Sequence, residues 1–218
     1  MTEEYDAVTG LPKIDQETAR ESGKKGLIGT TIGMIIFAAI GYGIAFATYT
    51  YGSTAKYDAK IAQGKQQELA WPCFAVVAFG FSVVWVNIFP MFYKEQIMKG
   101  GNFRANMFIY RQAVGGVGDT SAVILREDGL YGNYNRGNRS IGHFLENCLP
   151  ILTAAPLGVF IFPFPTSMCL MAYAAGRVIY QIGYTSIGFG AHVPGFLMDR
   201  LSTFTMLGLL LQAGIKMM

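Results

Sequence analysis

Residues Asn147 to Gly176 read NCLPILTAAPLGVFIFPFPTSMCLMAYAAG, thirty consecutive positions without an Asp, Glu, Lys or Arg. As a single α-helix this run would extend about 45 Å, against a hydrocarbon layer of about 30 Å. It is too long for one membrane span and too apolar for a soluble surface. The FPFP at Phe162 to Pro165 divides it, because a proline lacks a backbone donor and its ring clashes with the preceding turn. The reading is two helices, over about 141–162 and 166–188, joined by a tight turn.

Three further runs complete the pattern. Gly26 to Thr50, GLIGTTIGMIIFAAIGYGIAFATYT, has the length of a span and carries Gly29 and Gly33 as one GxxxG face, a weak packing signal. Leu69 to Tyr93 ends in Phe92, Tyr93 and Lys94, an aromatic and basic boundary suited to headgroups. The last span runs from about Val193 to Lys216, with Asp199 and Arg200 in its first turns. Pro72, Pro90, Pro150 and Pro156 fall within these helices, so neighbouring packing must absorb them.

The expected fold is therefore an all-α integral membrane helical bundle of five spans. A charged N-terminal segment (1–25) precedes a first transmembrane helix (26–50), and a four-helix membrane domain (69–218) holds a long hydrophilic loop at 94–140. Composition agrees: 52% of the 218 residues are hydrophobic and 14% charged, where soluble domains carry about 25% charged residues. The formal charge of +3 is small and the basic residues are not clustered, so no nucleic-acid partner is expected. Cys73, Cys148 and Cys169 lie in apolar runs without metal-type spacing, which points to packing residues rather than a disulfide framework or a zinc site. The N-terminus shows no short apolar core at its start, which argues against a cleaved signal, so targeting falls to the first span.

Alternating the spans places the N-terminus, the 94–140 loop and the 189–200 region on one side. That side holds four Lys/Arg in the N-terminal segment and seven in the loop, against Lys56, Lys60, Lys65 and Lys216 opposite. The positive-inside bias makes the loop side cytosolic or its equivalent. Within the loop, AVGGVGDTSAVIL lacks the Lys-Ser/Thr ending of a phosphate-binding loop and is read as a glycine-rich turn beside an extended segment. Asn138-Arg139-Ser140 is formally a glycosylation sequon, but it lies on the wrong side and close to the membrane.

The polar residues inside the apolar helices carry the chemistry. In RSIGHFLENCLP, Arg139, His143, Glu146 and Pro150 share one helical stripe. In GRVIYQIGY, Arg177, Tyr180, Gln181 and Tyr184 share another. Depth allows Glu146 and Arg177 to pair near the loop-side boundary, which would remove much of the few-kcal/mol cost of each charge. Such a pair could simply set helix register. Arg139, His143, Tyr180, Tyr184 and His192 nonetheless supply more donors than one pair needs, and fit a pocket for an anionic small molecule.

RSIGHFLENCLP resembles the motif of the MAPEG family, the membrane-associated proteins of eicosanoid and glutathione metabolism. GRVIYQIGY resembles that family's Arg-x-x-Tyr/His-x-x-x-Tyr segment, and AHVPGF the Arg-x-Pro-Gly region of microsomal glutathione transferases. The resemblance covers about residues 69–216. It implies a four-helix bundle, to which the 26–50 helix is extra, assembled as a homotrimer with glutathione between subunits on the cytosolic side. It implies membrane lipids as surroundings, in the endoplasmic reticulum or an organelle (mitochondrial or plastid) membrane. By position, Arg139, His143, Glu146, Asn147 and Tyr180 would bind glutathione. Tyr184, His192 and Arg177 would serve catalysis, by stabilising a thiolate that attacks a lipophilic electrophile or reduces a lipid peroxide. A free thiol has a pKa of about 8.5, and a nearby cation shifts it toward the thiolate. The sequence departs from the family pattern at His143, where Asn is usual, at Ile141, and at His192, where an arginine usually precedes Pro-Gly. A second reading is a non-catalytic structural subunit that keeps the fold as a scaffold in a larger membrane complex. A third, a small-solute transporter, lacks an internal repeat and midplane polar residues.

Overall fold

The computed structural model describes residues 15–97, 108–113 and 122–218. Helix α1 (Gln16–Tyr51) begins within the charged segment ahead of the apolar run, where the Asp15 side chain caps it by accepting from Thr18 N at 3.1 Å. A polar helix, α2 (Thr54–Gln66), follows and buries no residue. Helices α3 (Ala70–Ile88) and α4 (Met91–Ile97) are separated at Pro90, and Pro72 sits in the first turn of α3, where its missing N–H costs nothing.

The 94–140 region is more structured than a loop. Strands β1 (Tyr110–Ala113) and β2 (Ala122–Leu125) pair antiparallel, with Tyr110 opposite Leu125 and Ala113 opposite Ala122. Most of the glycine-rich AVGGVGDTSAVIL turn lies outside the described residues. Helix α5 (Gly129–Asn147) starts well before the expected entry into the membrane. Its Asn135 side chain accepts from Ile109 N at 2.8 Å and donates to the carbonyls of Ile109 (2.7 Å) and Arg126 (2.6 Å), so one amide fastens the hairpin to α5.

Helix α6 (Leu149–Ile161) continues α5 with a bend of 43° at Cys148, and Pro150 occupies its first turn rather than a helix interior. The break expected at FPFP falls at Phe162, before α7 (Pro163–Ser186), and α8 (Val193–Met217) ends the chain. Trp71 meets Phe164 at one end of the molecule (5.3 Å between rings), and Tyr93 donates to Ser186 Oγ (2.9 Å) at the other, which gives the expected alternation of directions.

Helix α7 is the hub: α3, α5, α6 and α8 all pack on it, so α3–α4, the bent α5–α6, α7 and α8 make a four-helix bundle. Ala75, Phe144, Ile151, Tyr173 and Met206 interlock at its centre. Cys169 is buried there and Cys148 is half-buried, whereas Cys73 is exposed on α3 and is not a packing residue within the chain. Helix α1 touches the bundle through its N-terminal part, mainly on α4, and its apolar run is unburied within the chain.

Among the described residues, two helical stretches, Glu17–Tyr51 and Ala70–Ile97, are long and apolar enough to cross a membrane, and the α5–α6 pair is a third if the bent pair is one span. Helices α7 and α8, both expected as spans, have 24 and 25 residues, but inward-facing polar groups dilute their apolar character.

Candidate functional site

Close backbone packing decides which polar groups meet. A Cβ on Gly195 would stand 2.3 Å from Tyr180 N, and one on Gly176 would stand 2.9 Å from Gly195 O, so only glycine permits this approach of α8 to α7. Asp199 is thereby set opposite Arg177. Both side chains are fully buried, and Arg177 Nη1 donates to Asp199 Oδ2 at 3.0 Å. The second carboxylate oxygen of Asp199 accepts from Arg200 Nε at 2.8 Å.

The expected Glu146–Arg177 pair does not form. Glu146 lies on the exposed face of α5 and pairs instead with Arg139, Nη1 to Oε1 at 3.1 Å, with both side chains slightly more than half exposed. Two helical turns separate these residues on the same stripe, so their side chains reach each other without leaving α5. Arg177 points into the bundle, where Asp199 neutralises it. Its Nη2 donates to Ser140 O at 3.0 Å and its Nη1 lies 3.1 Å from His143 Nδ1. Its guanidinium also sits 4.4 Å from the Tyr180 ring centre.

Five of the eight candidate residues form one contiguous cluster. His143 stacks on Tyr180 at 5.1 Å with the rings 5° from parallel. His192, at the N-terminus of α8, lies 5.0 Å from Tyr180 and 5.3 Å from Tyr184. Gly188 (φ +117°) and Gly190 (φ +95°) supply the left-handed backbone of the α7–α8 turn that folds His192 back over these tyrosines. His192 Nδ1 is buried without a hydrogen-bond partner among the described residues. Arg177 completes the cluster from below. Arg139 and Glu146 stand beside it on the open face, and Asn147 is used locally, donating to His143 O at 2.7 Å where α5 bends.

A cavity of about 470 Å³ opens at the loop-side ends of α5 and α7, within the range of small-molecule sites. Arg126, Arg136, Arg139 and Tyr184 line it, together with Glu127 and the turn at Gly188. Arg136 is structurally committed: Nε donates to Tyr184 O (3.0 Å), Nη1 to Glu127 O (2.9 Å) and Nη2 to Asn133 Oδ1. It joins the hairpin, α5 and the end of α7 at the cavity wall.

Sequence reasoning left Asp199 and Arg136 unassigned. Asp199 had a usable signal, because it is the one carboxylate in the last span and an intramembrane acid demands a cation. Arg136 had none, because its partners are mainly backbone carbonyls brought close by the fold.

A sequence model of the MAPEG family matches residues 73–215, which runs from α3 to the end of α8 and leaves α1 and α2 outside. No curated protein matches the chain, and no solved structure matches it.

Proposed function

The chain belongs to the MAPEG family, integral membrane proteins of glutathione and eicosanoid metabolism, and from that premise we propose that it binds glutathione at the loop-side cavity and uses its thiol on lipophilic substrates. The observation that carries this reading is the half-exposed Arg139–Glu146 pair at the edge of a cavity that also holds Tyr184. A zwitterionic tripeptide needs a cation for its carboxylates and an anion for its α-amino group, and this pair offers both without exposing a buried charge. Arg126 adds a second cation on the hairpin wall.

In this reading Arg139 holds a glutathione carboxylate, Glu146 the ammonium, and Asn147 keeps the α5 bend in register. The thiol lies toward Tyr184 and His192, whose phenol and imidazole donate to the developing thiolate. The thiolate sulfur then forms a bond to the electrophilic carbon of an apolar co-substrate and the displaced group leaves with the bonding pair. With a lipid hydroperoxide, the sulfur instead bonds to the distal oxygen to give a glutathione sulfenic acid, and the O–O bonding pair leaves with the alkoxide, which takes up a proton. A second glutathione thiol condenses with the sulfenic acid to give the disulfide and water. Arg177 is a positioning residue here: it is sealed from the cavity and holds His143 and Tyr180 in their stack. A homotrimer would place such sites between neighbouring chains.

The test is glutathione titration of the purified protein by calorimetry, with turnover of a chloronitrobenzene as the activity readout. Saturable binding is expected, and Arg139→Ala and Glu146→Ala each lower affinity at least tenfold. No saturable binding to the wild type rejects the reading. The second reading, a non-catalytic scaffold subunit, draws on α1 and α2, which lie outside the family match, and on the long apolar surface that α1 leaves uncovered. Mild-detergent extraction yielding one large stable complex, with no glutathione binding, would decide for it.

A further inference from the structure

Helix α2 lies outside the family match and buries no residue against the rest of the chain. Its two ends fix its orientation. Gly52 and Ser53 alone separate it from α1, whose apolar run ends at Thr50, and Gln67 to Leu69 separate it from α3, whose apolar run begins at Leu69. Both turns are tight. Thr54 Oγ1 donates to Tyr49 O at 2.8 Å, and Leu69 N donates back to Gly64 O at 2.9 Å across Glu68, which takes φ +57°. The two ends of α2 are thus held at one hydrocarbon boundary, the one opposite the β1–β2 hairpin. A helix of 13 residues is about 20 Å long, and a rigid rod with both ends at one boundary lies along the membrane surface rather than projecting from it.

The same contacts decide which face looks down. Tyr57 stacks on Tyr49 of α1 with ring centres 6.4 Å apart, and a Cβ on Gly64 would stand 3.8 Å from Leu69 Cδ1, so the face bearing Tyr57 and Gly64 is turned toward the membrane. Ile61, one turn on from Tyr57 and 59% exposed, shares that face. Lys60 and Lys65 stand about 70° to either side of it, with Lys56 beyond Lys60. All three lysines are exposed. Lys60 Nζ donates to Gln63 Oε1 at 3.3 Å, and Lys56 and Lys65 are unpaired among the described residues. The carboxylate of Asp58 is occupied by the Tyr49 hydroxyl, and Glu68 lies past the end of the helix in the turn. Of the four Lys/Arg residues assigned to this side of the membrane, three are on this one helix.

We propose that α2 is an interfacial helix that recruits anionic phospholipid, with Lys56, Lys60 and Lys65 at the lipid phosphates and Tyr57 and Ile61 at the edge of the acyl layer. A lysine beside an apolar face runs its methylene stem along that layer and raises its ammonium to the head groups. A helix lying flat brings all three ammonium groups to one level. A projecting helix would spread them over about 14 Å of depth, beyond the roughly 8 Å over which salt screens a charge. The excess of cations selects a head group with net negative charge, because the phosphate of phosphatidylcholine is already balanced by its own ammonium. Held this way, α2 also sets the ends of α1 and α3 about 20 Å apart, in keeping with the unburied apolar run of α1.

The experiment compares amide hydrogen exchange of the full chain in nanodiscs of phosphatidylcholine alone and in nanodiscs of phosphatidylcholine mixed equally with phosphatidylglycerol. Amides of residues 54–66 exchange at least threefold more slowly in the mixed discs, and high salt removes the difference. Amides in the centre of α7 are the same in both and serve as the reference. Replacing the lysines together, Lys56→Gln, Lys60→Gln and Lys65→Gln, abolishes the slowing, whereas Ile61→Glu speeds exchange of α2 in both discs. Equal exchange of α2 in the two discs, which is what a neighbouring protein seated on it would give, overturns the proposal. So does a slowing that persists in the triple variant or in high salt. The comparison of discs is made on the wild type, so it stands even if a variant fails to fold.

Discussion

Helices α1 and α7 both contain glycines, and the apolar run of α1 beyond Gly26 uses them in the opposite way to α7, whereas Gly23 and Gly26 pack closely on α4. A Cβ on Gly29, Gly33, Gly41 or Gly43 of α1 would meet nothing within 4 Å. In α7, a Cβ on Gly183 would strike Ala191 O at 2.2 Å, and one on Gly176 would crowd Gly195 and Asp199. Lipid solvates apolar side chains as well as a protein interior does, so no hydrophobic force presses α1 onto the bundle. The polar stripe of α7 has no such freedom: Arg177, Gln181 and Thr185 turn inward, Arg177 donating to Asp199 and Ser140 O and Gln181 Nε2 to Gly137 O. A glycine in a span therefore marks an interface when polar side chains nearby demand one.

The contrast can be broken or sharpened experimentally. Gly195→Leu should be the most damaging change, because its side chain would have to displace the α7 backbone. A loss of about 4 kcal/mol or more is expected, seen as loss of the folded species in detergent melts. Asp199→Ala leaves Arg177 buried and unpaired and should cost about 3–5 kcal/mol in the same assay. The double replacement Arg177→Met, Asp199→Leu should recover much of that loss, and failure to recover any would show that the Arg177 contacts to Ser140 and His143 carry the stability.

Arg139→Ala should change stability by less than about 1 kcal/mol, because its ion pair is more than half exposed. Its effect belongs to glutathione binding, so a large stability loss without a binding loss would reverse the roles given to the two arginines. Gly33→Ala should be the mildest, neutral or stabilising by up to about 1 kcal/mol through helix propensity. Destabilisation there would reveal a partner on α1 and bring it into line with α7.

Legibility in the sequence follows the same division. The FPFP break, the four-helix bundle and the extra first helix could be read from runs of apolar residues, because span length is a local property. That His143, Tyr180 and Tyr184 lie near one another was also readable, since helical spacing assigned them to stripes near one end of the bundle, whereas His192 lies on neither stripe and is brought over the tyrosines by the α7–α8 turn. The start of α5 at Gly129 was not, because its first turns are rich in Gly and Asn and gain their helical state from packing on Tyr93, Pro90 and the hairpin. The partner of Arg177 was misassigned because depth alone placed Glu146 within reach, and Asp199 was left without a partner of its own.

By itself the amino-acid sequence determined the membrane setting, the helical fold, the family and the polar residues on α5 and α7 that carry its motif. Those features depend on composition and on periods of a few residues along one chain. The tertiary structure alone decided which acid neutralises Arg177, that Arg139 and Glu146 pair on an open face, and that Arg136 ties three elements at the cavity wall. Each of these depends on how closely two backbones approach and how they are rotated. Such distances are set by packing between segments remote in sequence, which no local pattern encodes.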